Sequence, residues 1–359
     1  MKADQFNYDK YLRICEDAEE RAKGFHRGEF LPVTCWTLGD GIYGTNCRDK
    51  DMMLDAQLDG ITRTLEVETD QIPYLEPWHG IGVFAEAFGC PFAFNDTDAP
   101  WTNTIVRDIE DLKRLEMPDI ADSRMLQRVL ETTEYFNDQT NGQIAIAATD
   151  TQSPLNTMSL ICDVDWLLLE APEYPEEFHR VMGMITDLII EFTKKQRAIC
   201  SKPATPGHTM WSSSQVSGIS LSADMMAMCG RDFYEEFAKP YDEKIGKELG
   251  GAGMHSCGKW HFNFDMVKSM EYCSMIDLAI SLPWDPSPNI PEKIAEAFGG
   301  TSLPIHCRAD VKDIDAIDML IRSDVRMIVS LWWDDDPVIR KRNYDMVKER
   351  WKTYKEETV

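Results

Sequence analysis

From Gly250 onward, short apolar runs alternate with longer amphipathic ones, and this alternation restricts the folds open to the chain more than any other feature. Strand-like patterns at 252–255, 275–280, 303–307 and 326–331 are each followed by a helical pattern, at 262–270, 290–298, 311–322 and 337–354. A strand that returns through a helix to a parallel neighbour does so by a right-handed crossover. About eight such units close into a single (β/α)8 barrel of the TIM type, an α/β fold whose chemistry sits at the C-terminal ends of its strands.

The first half extends the pattern. Residues 4–25 place Tyr8, Tyr11, Leu12 and Cys15 at helical spacing among charges, predicting an amphipathic helix outside the main core. Strand-like runs follow at 31–36, 71–75 and 143–148, with a weaker one at 205–211, and helical patterns at 51–66, 174–199, 222–229 and 231–249. Ser222 and Asp224 suit the N-terminal cap of the third of these helices. No Gly/Ser/Pro-rich linker, low-complexity tract or GxGxxG loop interrupts the chain. The expected organisation is an N-terminal helical extension over 1–28 and one barrel over 29–359.

Composition excludes some partners. A net charge of -25 argues against nucleic acid, whose phosphates require clustered Lys and Arg. No apolar run approaches the roughly 18 to 20 residues that span a bilayer, so no membrane association and a soluble, cytoplasmic protein are expected. The ten cysteines lack disulfide-scaffold spacing and read mostly as reduced thiols serving as small hydrophobes.

His255-Ser256-Cys257 closes the run at 252–255. Residues two apart on a strand face the same way, so this imidazole and thiol form a candidate half-site for zinc, or else a packed strand end. Glu76 and His79, beyond the second strand, are a candidate acid/base pair or part of a solvated loop. Asp150 and Gln152, after the third, suit the pocket mouth or a turn. Trp36, Trp211, Trp284, Trp332 and Trp333 fall at or near strand ends, where they can wall an apolar cleft for a flat or methylated ligand, including a cation, or simply pack.

Glu86-Ala87-Phe88-Gly89, Arg107 to Leu112 ahead of Met117-Pro118-Asp119, Ser153-Pro154, Phe233 to Phe237 with Pro240-Tyr241, and His255-Ser256-Cys257-Gly258 follow one another in an order that resembles the uroporphyrinogen decarboxylase superfamily along nearly the whole chain. That resemblance implies a (β/α)8 barrel. It is closer to the branch of zinc-dependent methyltransferases, which move methyl groups between corrinoid proteins and thiols such as coenzyme M, than to the true decarboxylases. The segment after the first strand, Cys35 to Tyr43, holds no arginine to meet substrate carboxylates, and Glu76 falls only loosely at the decarboxylase aspartate.

The methyltransferase branch adds to His-x-Cys a distant cysteine near the end of the eighth strand. Here that strand ends Ser330-Leu331-Trp332-Trp333-Asp334. Cys307, at the end of the neighbouring strand, is the expected replacement, with His306 pointing away from it and Asp334 a lesser oxygen ligand. The resemblance thus implies zinc on His255 and Cys257, and the convergence of neighbouring strand ends in a barrel makes Cys307 the expected third ligand. Glu76 and His79 are expected to be catalytic, and Trp36, Asp150, Gln152, Trp211 and Arg308 to bind substrate. It also implies a small-molecule methyl acceptor and methylcobalamin on a corrinoid partner protein. Two other readings are a porphyrinogen-type decarboxylase and a non-catalytic barrel that binds a corrinoid or a small methylated compound.

Overall fold

The structure, a computed structural model, describes residues 1–95 and 98–358. Its sheet contains β1 (Val33–Thr34), β2 (Ile146–Ala147), β3 (Pro203–Ala204), β4 (Ile219–Ser222), β5 (Ala252–His255), β6 (Cys273–Ala279), β7 (Ile305–Ala309) and β8 (Met327–Leu331). β4 to β8 run in parallel order, and β8 pairs back onto β1. Asp70 donates its backbone N–H to Val33 O at 3.0 Å, Leu75 bridges to Ile146, and Gln152 bridges to Ser222, which closes the ring. Eight positions result, the second held by Leu75 alone. β3 is an additional wedge at the N-terminal end, paired with β2 and touching β4 where Ser220 N–H donates to Pro206 O.

The long helices stand where the periodicity predicts them. Lys50–Thr64 and Pro175–Ile199 form as expected, and the latter buries Phe178, Val181, Met182, Ile185, Leu188, Ile189 and Phe192 at three- and four-residue spacing. The N-terminal helix is Tyr8–Ala22, capped by Asn7, whose side chain accepts from Lys10 N–H. Tyr11 pins it to the ring by donating to Pro73 O at 2.9 Å.

Three local expectations fail. Ser222 is the last residue of β4 rather than a helix cap, and only a 3-10 turn, Asp224–Ala227, follows it. The pattern at 231–249 divides into Arg231–Phe237 and Lys239–Leu249. Residues 205–211 leave the sheet altogether: Gly207, His208 and Thr209 all have left-handed φ, at 82°, 27° and 57°. A strand cannot continue through three such residues, so the segment folds into the barrel as a loop.

The barrel interior is layered. Met210, Trp211, Val216, Met275 and Ile328, with Phe25, fill its N-terminal end. A larger core occupies the space between sheet and helices. Above the plug the inward-facing side chains become polar, and there the candidate site begins.

At the bottom of β4, Gly218 has φ 92°, and a Cβ there would lie 2.0 Å from the Gly251 carbonyl oxygen. Gly218→Ala is expected to destabilise the protein by about 2 to 4 kcal/mol through backbone strain and contact. Urea unfolding followed by circular dichroism measures this, and an unchanged midpoint would show that the β4–β5 approach is looser than described.

Candidate active site

His255, Asp277 and His306 are register partners on three adjacent strands, so their side chains form one row across the inner wall. Asp277 is completely buried. One of its oxygens accepts from His255 Nδ1 in a short contact and the other from His306 Nδ1 at 2.5 Å, while Arg308 Nε lies 3.1 Å away. Burial alone would raise this carboxyl, but Arg308, then His255 and His306, hold it well below the usual carboxylate range. The same pairing raises His255: burial disfavours its charge, yet Asp277 overrides that and pushes it up to about 10.

With Nδ1 committed to Asp277, His255 presents Nε2 upward. Cys257 Sγ lies 3.6 Å from it and Asp224 Oδ1 4.0 Å. All three ligand atoms fall within 4.8 Å of one another. Zinc binds nitrogen at about 2.0 Å and sulfur at about 2.3 Å, which puts tetrahedral partners roughly 3.5 Å apart, so this donor set fits zinc and leaves a fourth position. Asp224 is also tied to the motif, because its Oδ1 accepts the Cys257 backbone N–H at 2.7 Å. The Asp277–His255 bond orients the ligand as carboxylate–histidine pairs do at metal centres.

Cys307 does not join them. It is buried within the sheet-to-helix core, while its neighbours His306 and Arg308 turn inward to Asp277. Strand alternation does separate Cys307 from His306, as the sequence predicts, but with the opposite polarity: the histidine faces the site. Burial pushes the Cys307 thiol up to about 12, as for a packed neutral group. Asp334 is likewise absent from the ligand cluster.

A second polar cluster stands opposite. His208 Nδ1 lies 2.7 Å from Glu76 Oε1 and its Nε2 3.5 Å from Asp150 Oδ1. Trp78 Nε1, Gln152 Nε2 and Ser222 Oγ donate to Asp150 at 3.1, 2.9 and 3.1 Å. Glu76 is fully buried, its carboxyl raised chiefly by that burial, and its Oε2 has no partner. Burial would lower His208, but Asp150 and Glu76 raise it to about 9. The His208 and His255 rings are 6.4 Å apart, edge to face, so the clusters adjoin.

Of the remaining expected residues, Trp36 and Arg308 line a cleft of about 280 Å3 together with Tyr43, Thr209, Trp284, Trp332 and Trp333. Trp211 lies instead in the apolar plug, with Nε1 donating to Asp70 O at 2.9 Å. His79 is not beside Glu76 in this cluster: its Nδ1 meets Cys47 O at 2.8 Å and its Nε2 meets Thr132 Oγ1 at 2.9 Å, and burial lowers it to about 4. It is a neutral, satisfied structural histidine. A wider groove of about 1070 Å3, bordered by Glu66–Glu68 and helix Pro337–Thr358, lies on the outer surface and contains no histidine or cysteine.

Sequence reasoning missed His208, Asp277 and Asp224. Asp277 does carry a signal, as one carboxylate inside the apolar run Met275-Ile276-Asp277-Leu278-Ala279. His208 carries none, since a loop that folds into the barrel has no periodicity to read.

Residues 28–200 match the protein family described as Uroporphyrinogen decarboxylase (URO-D). Among solved structures, a methyltransferase from Methanosarcina mazei superposes with a TM-score of 0.63, covering 94% of this chain and 98% of that one at 12% identity. The likeness at that identity is one of fold. No match occurs among curated proteins. Among the described residues, no helix is long and apolar enough to cross a membrane.

Asp277→Asn keeps the shape of the row but leaves two histidines and an arginine without their carboxylate. A loss of about 3 to 5 kcal/mol in urea unfolding is expected; a loss below about 1 kcal/mol would mean that the row is not held by charge.

Proposed function

Starting from a barrel of the uroporphyrinogen decarboxylase superfamily, we propose that this chain is a zinc-dependent methyltransferase that passes a methyl group between a corrinoid carried on a separate protein and a small thiol acceptor. The observation that carries the reading is the three-donor cluster Asp224, His255 and Cys257, backed by Asp277, at the C-terminal end of β5. The solved methyltransferase with the same fold supports the reaction class.

His255 Nε2, Cys257 Sγ and an Asp224 oxygen would hold the metal. Zinc, when bound, lowers the pKa of a coordinated thiol and so supplies a thiolate at neutral pH. Asp277 holds the His255 Nδ1–H, so that Nε2 is the nitrogen that becomes a ligand once its proton leaves. Glu76, with a raised carboxyl and an unpartnered oxygen, is suited to receive the proton that the acceptor thiol gives up, and His208 holds it in place through Oε1. In the transfer itself a carbon–sulfur bond forms as the carbon–cobalt bond breaks, with that bond's electron pair staying on cobalt.

A porphyrinogen decarboxylase finds less support. Among the described residues Arg308 is the only lysine or arginine lining the cleft, and Asp277 already engages it. A volume of about 280 Å3 is also at the lower edge for a drug-sized ligand.

Metal analysis of purified protein should find one zinc per chain. Cys257→Ser should lose it, Cys307→Ser should retain it, and Asp224→Asn should weaken it about 10- to 100-fold. No bound zinc in the parent protein, or equal zinc in Cys257→Ser, refutes the site.

Zinc affinity should also depend on pH. With His255 raised to about 10, a proton occupies the imidazole at neutral pH and must leave before metal binds. Affinity is therefore expected to increase by at least about tenfold per pH unit between roughly pH 6 and 9, since His255 and the Cys257 thiol both give up a proton on binding the metal, measured by competition with a chromophoric chelator. A flat profile would contradict a protonated, Asp277-paired His255.

A further inference from the structure

The tryptophan-lined cleft has features that zinc chemistry does not require. Its walls include Trp36, Tyr43, Trp284, Trp332 and Trp333. Two of these rings already meet a cation: Arg308 lies 6.0 Å from the centre of Trp284, and Arg340 and Arg63 lie 4.0 and 5.4 Å from that of Trp333. Among the described residues Trp36 and Trp332 have no such partner, and the only one that Tyr43 meets is the His208 ring, edge-on at 6.4 Å. Trp36 instead packs at 4.8 Å against Tyr74, Tyr43 edge-on to Trp78 at 5.0 Å, and Trp332 edge-on to Trp284 at 5.0 Å. Trp332 is 43% exposed, large for an indole at the mouth of a barrel.

One polar atom in the lining is unsatisfied. Thr209 Oγ1 is buried with no hydrogen-bond partner, on a residue held at φ 57°. A buried hydroxyl without a partner costs about 1 to 3 kcal/mol, and left-handed φ at a β-branched residue adds strain, a combination that concentrates where a ligand completes the structure. Behind the wall the buried carboxylates Glu76, Asp150 and Asp277 are faced by His208, His255 and Arg308. Aromatic faces carry negative potential and the Thr209 oxygen can accept a hydrogen bond, so the unoccupied lining suits a positive ligand better than an anion.

We propose that this cleft is a binding subsite for a small methylated ammonium ion, whose methyl groups lie against Trp36, Tyr43 and Trp332 and whose N–H, where it has one, donates to Thr209 Oγ1. Methylated ammonium spreads its charge over C–H groups that aromatic faces attract, and it sheds its water more readily than ammonium does. The subsite is independent of the methyl-transfer reading, because no bond is made or broken in binding.

Calorimetric titration of the purified protein at pH 7 tests it, with trimethylammonium chloride as the probe and tetramethylammonium, tert-butanol and trimethylacetate as cationic, neutral and anionic counterparts of similar shape. Saturable 1:1 binding of trimethylammonium is expected, about tenfold tighter than tert-butanol, with no binding of trimethylacetate. Trp332→Leu, at a position 43% exposed, should weaken trimethylammonium at least about fivefold while leaving the urea-unfolding midpoint near that of the parent. Thr209→Ala should reduce trimethylammonium to the affinity of tetramethylammonium and leave the latter unchanged, since only the former has an N–H to donate. Absence of saturable binding to the folded protein, equal binding of tert-butanol or trimethylacetate, or an unchanged affinity in Trp332→Leu would each overturn the proposal.

Discussion

The candidate site depends on one buried carboxylate. Asp277, with no solvent exposure, binds His255, His306 and Arg308 from its own strand's two neighbours, and so ties β5, β6 and β7 together through their inward faces. An isolated charge at that depth is costly, whereas one that accepts from two histidines and pairs with an arginine is retained and directs each of them. It sets which nitrogen of His255 is free, draws Arg308 down to the floor of the cleft, and turns the alternation of β7 so that Cys307 faces away. The choice of metal ligands follows from this: once His306 and Arg308 are inward, the thiol between them cannot be.

The two halves of the site are built by different means. The candidate metal donors come from strand ends and the tight turn after β4, where register fixes direction. The Glu76–His208–Asp150 cluster relies on a loop with three consecutive left-handed residues, which brings His208 between two carboxylates contributed by elements far apart in the chain. Rigid register suits metal coordination, and a loop of unusual backbone suits a group that only the completed barrel can position.

The barrel was legible in the sequence because strand and helix periods alternate regularly after Gly250 and because the amphipathic helices carry their apolar residues on one face. The half-site His255–Cys257 was legible for the same reason, since two residues at i and i+2 on a strand share a side. What was not legible is phase between strands. Cys307 and Arg308 were both expected in the site, although adjacent residues on a strand cannot face the same way, and only the Asp277 pairing decides between them. His79 near Glu76 in sequence misled for a related reason: beyond the strand end, spacing no longer sets direction, and His79 turns to Cys47 O and Thr132 while His208, 132 residues beyond Glu76, takes the place beside it. The tryptophans divide likewise, with Trp211 lost to the plug because its segment enters the barrel as a loop rather than a strand.

The central claim is that a metal here has one sulfur and two lighter protein ligands, with Cys307 excluded by the direction of its strand. X-ray absorption at the zinc edge of the loaded protein measures this directly. A single sulfur at about 2.3 Å with nitrogen or oxygen neighbours at about 2.0 Å is expected; a shell of two sulfurs would place Cys307 or another thiol at the metal and overturn the Asp224–His255–Cys257 assignment.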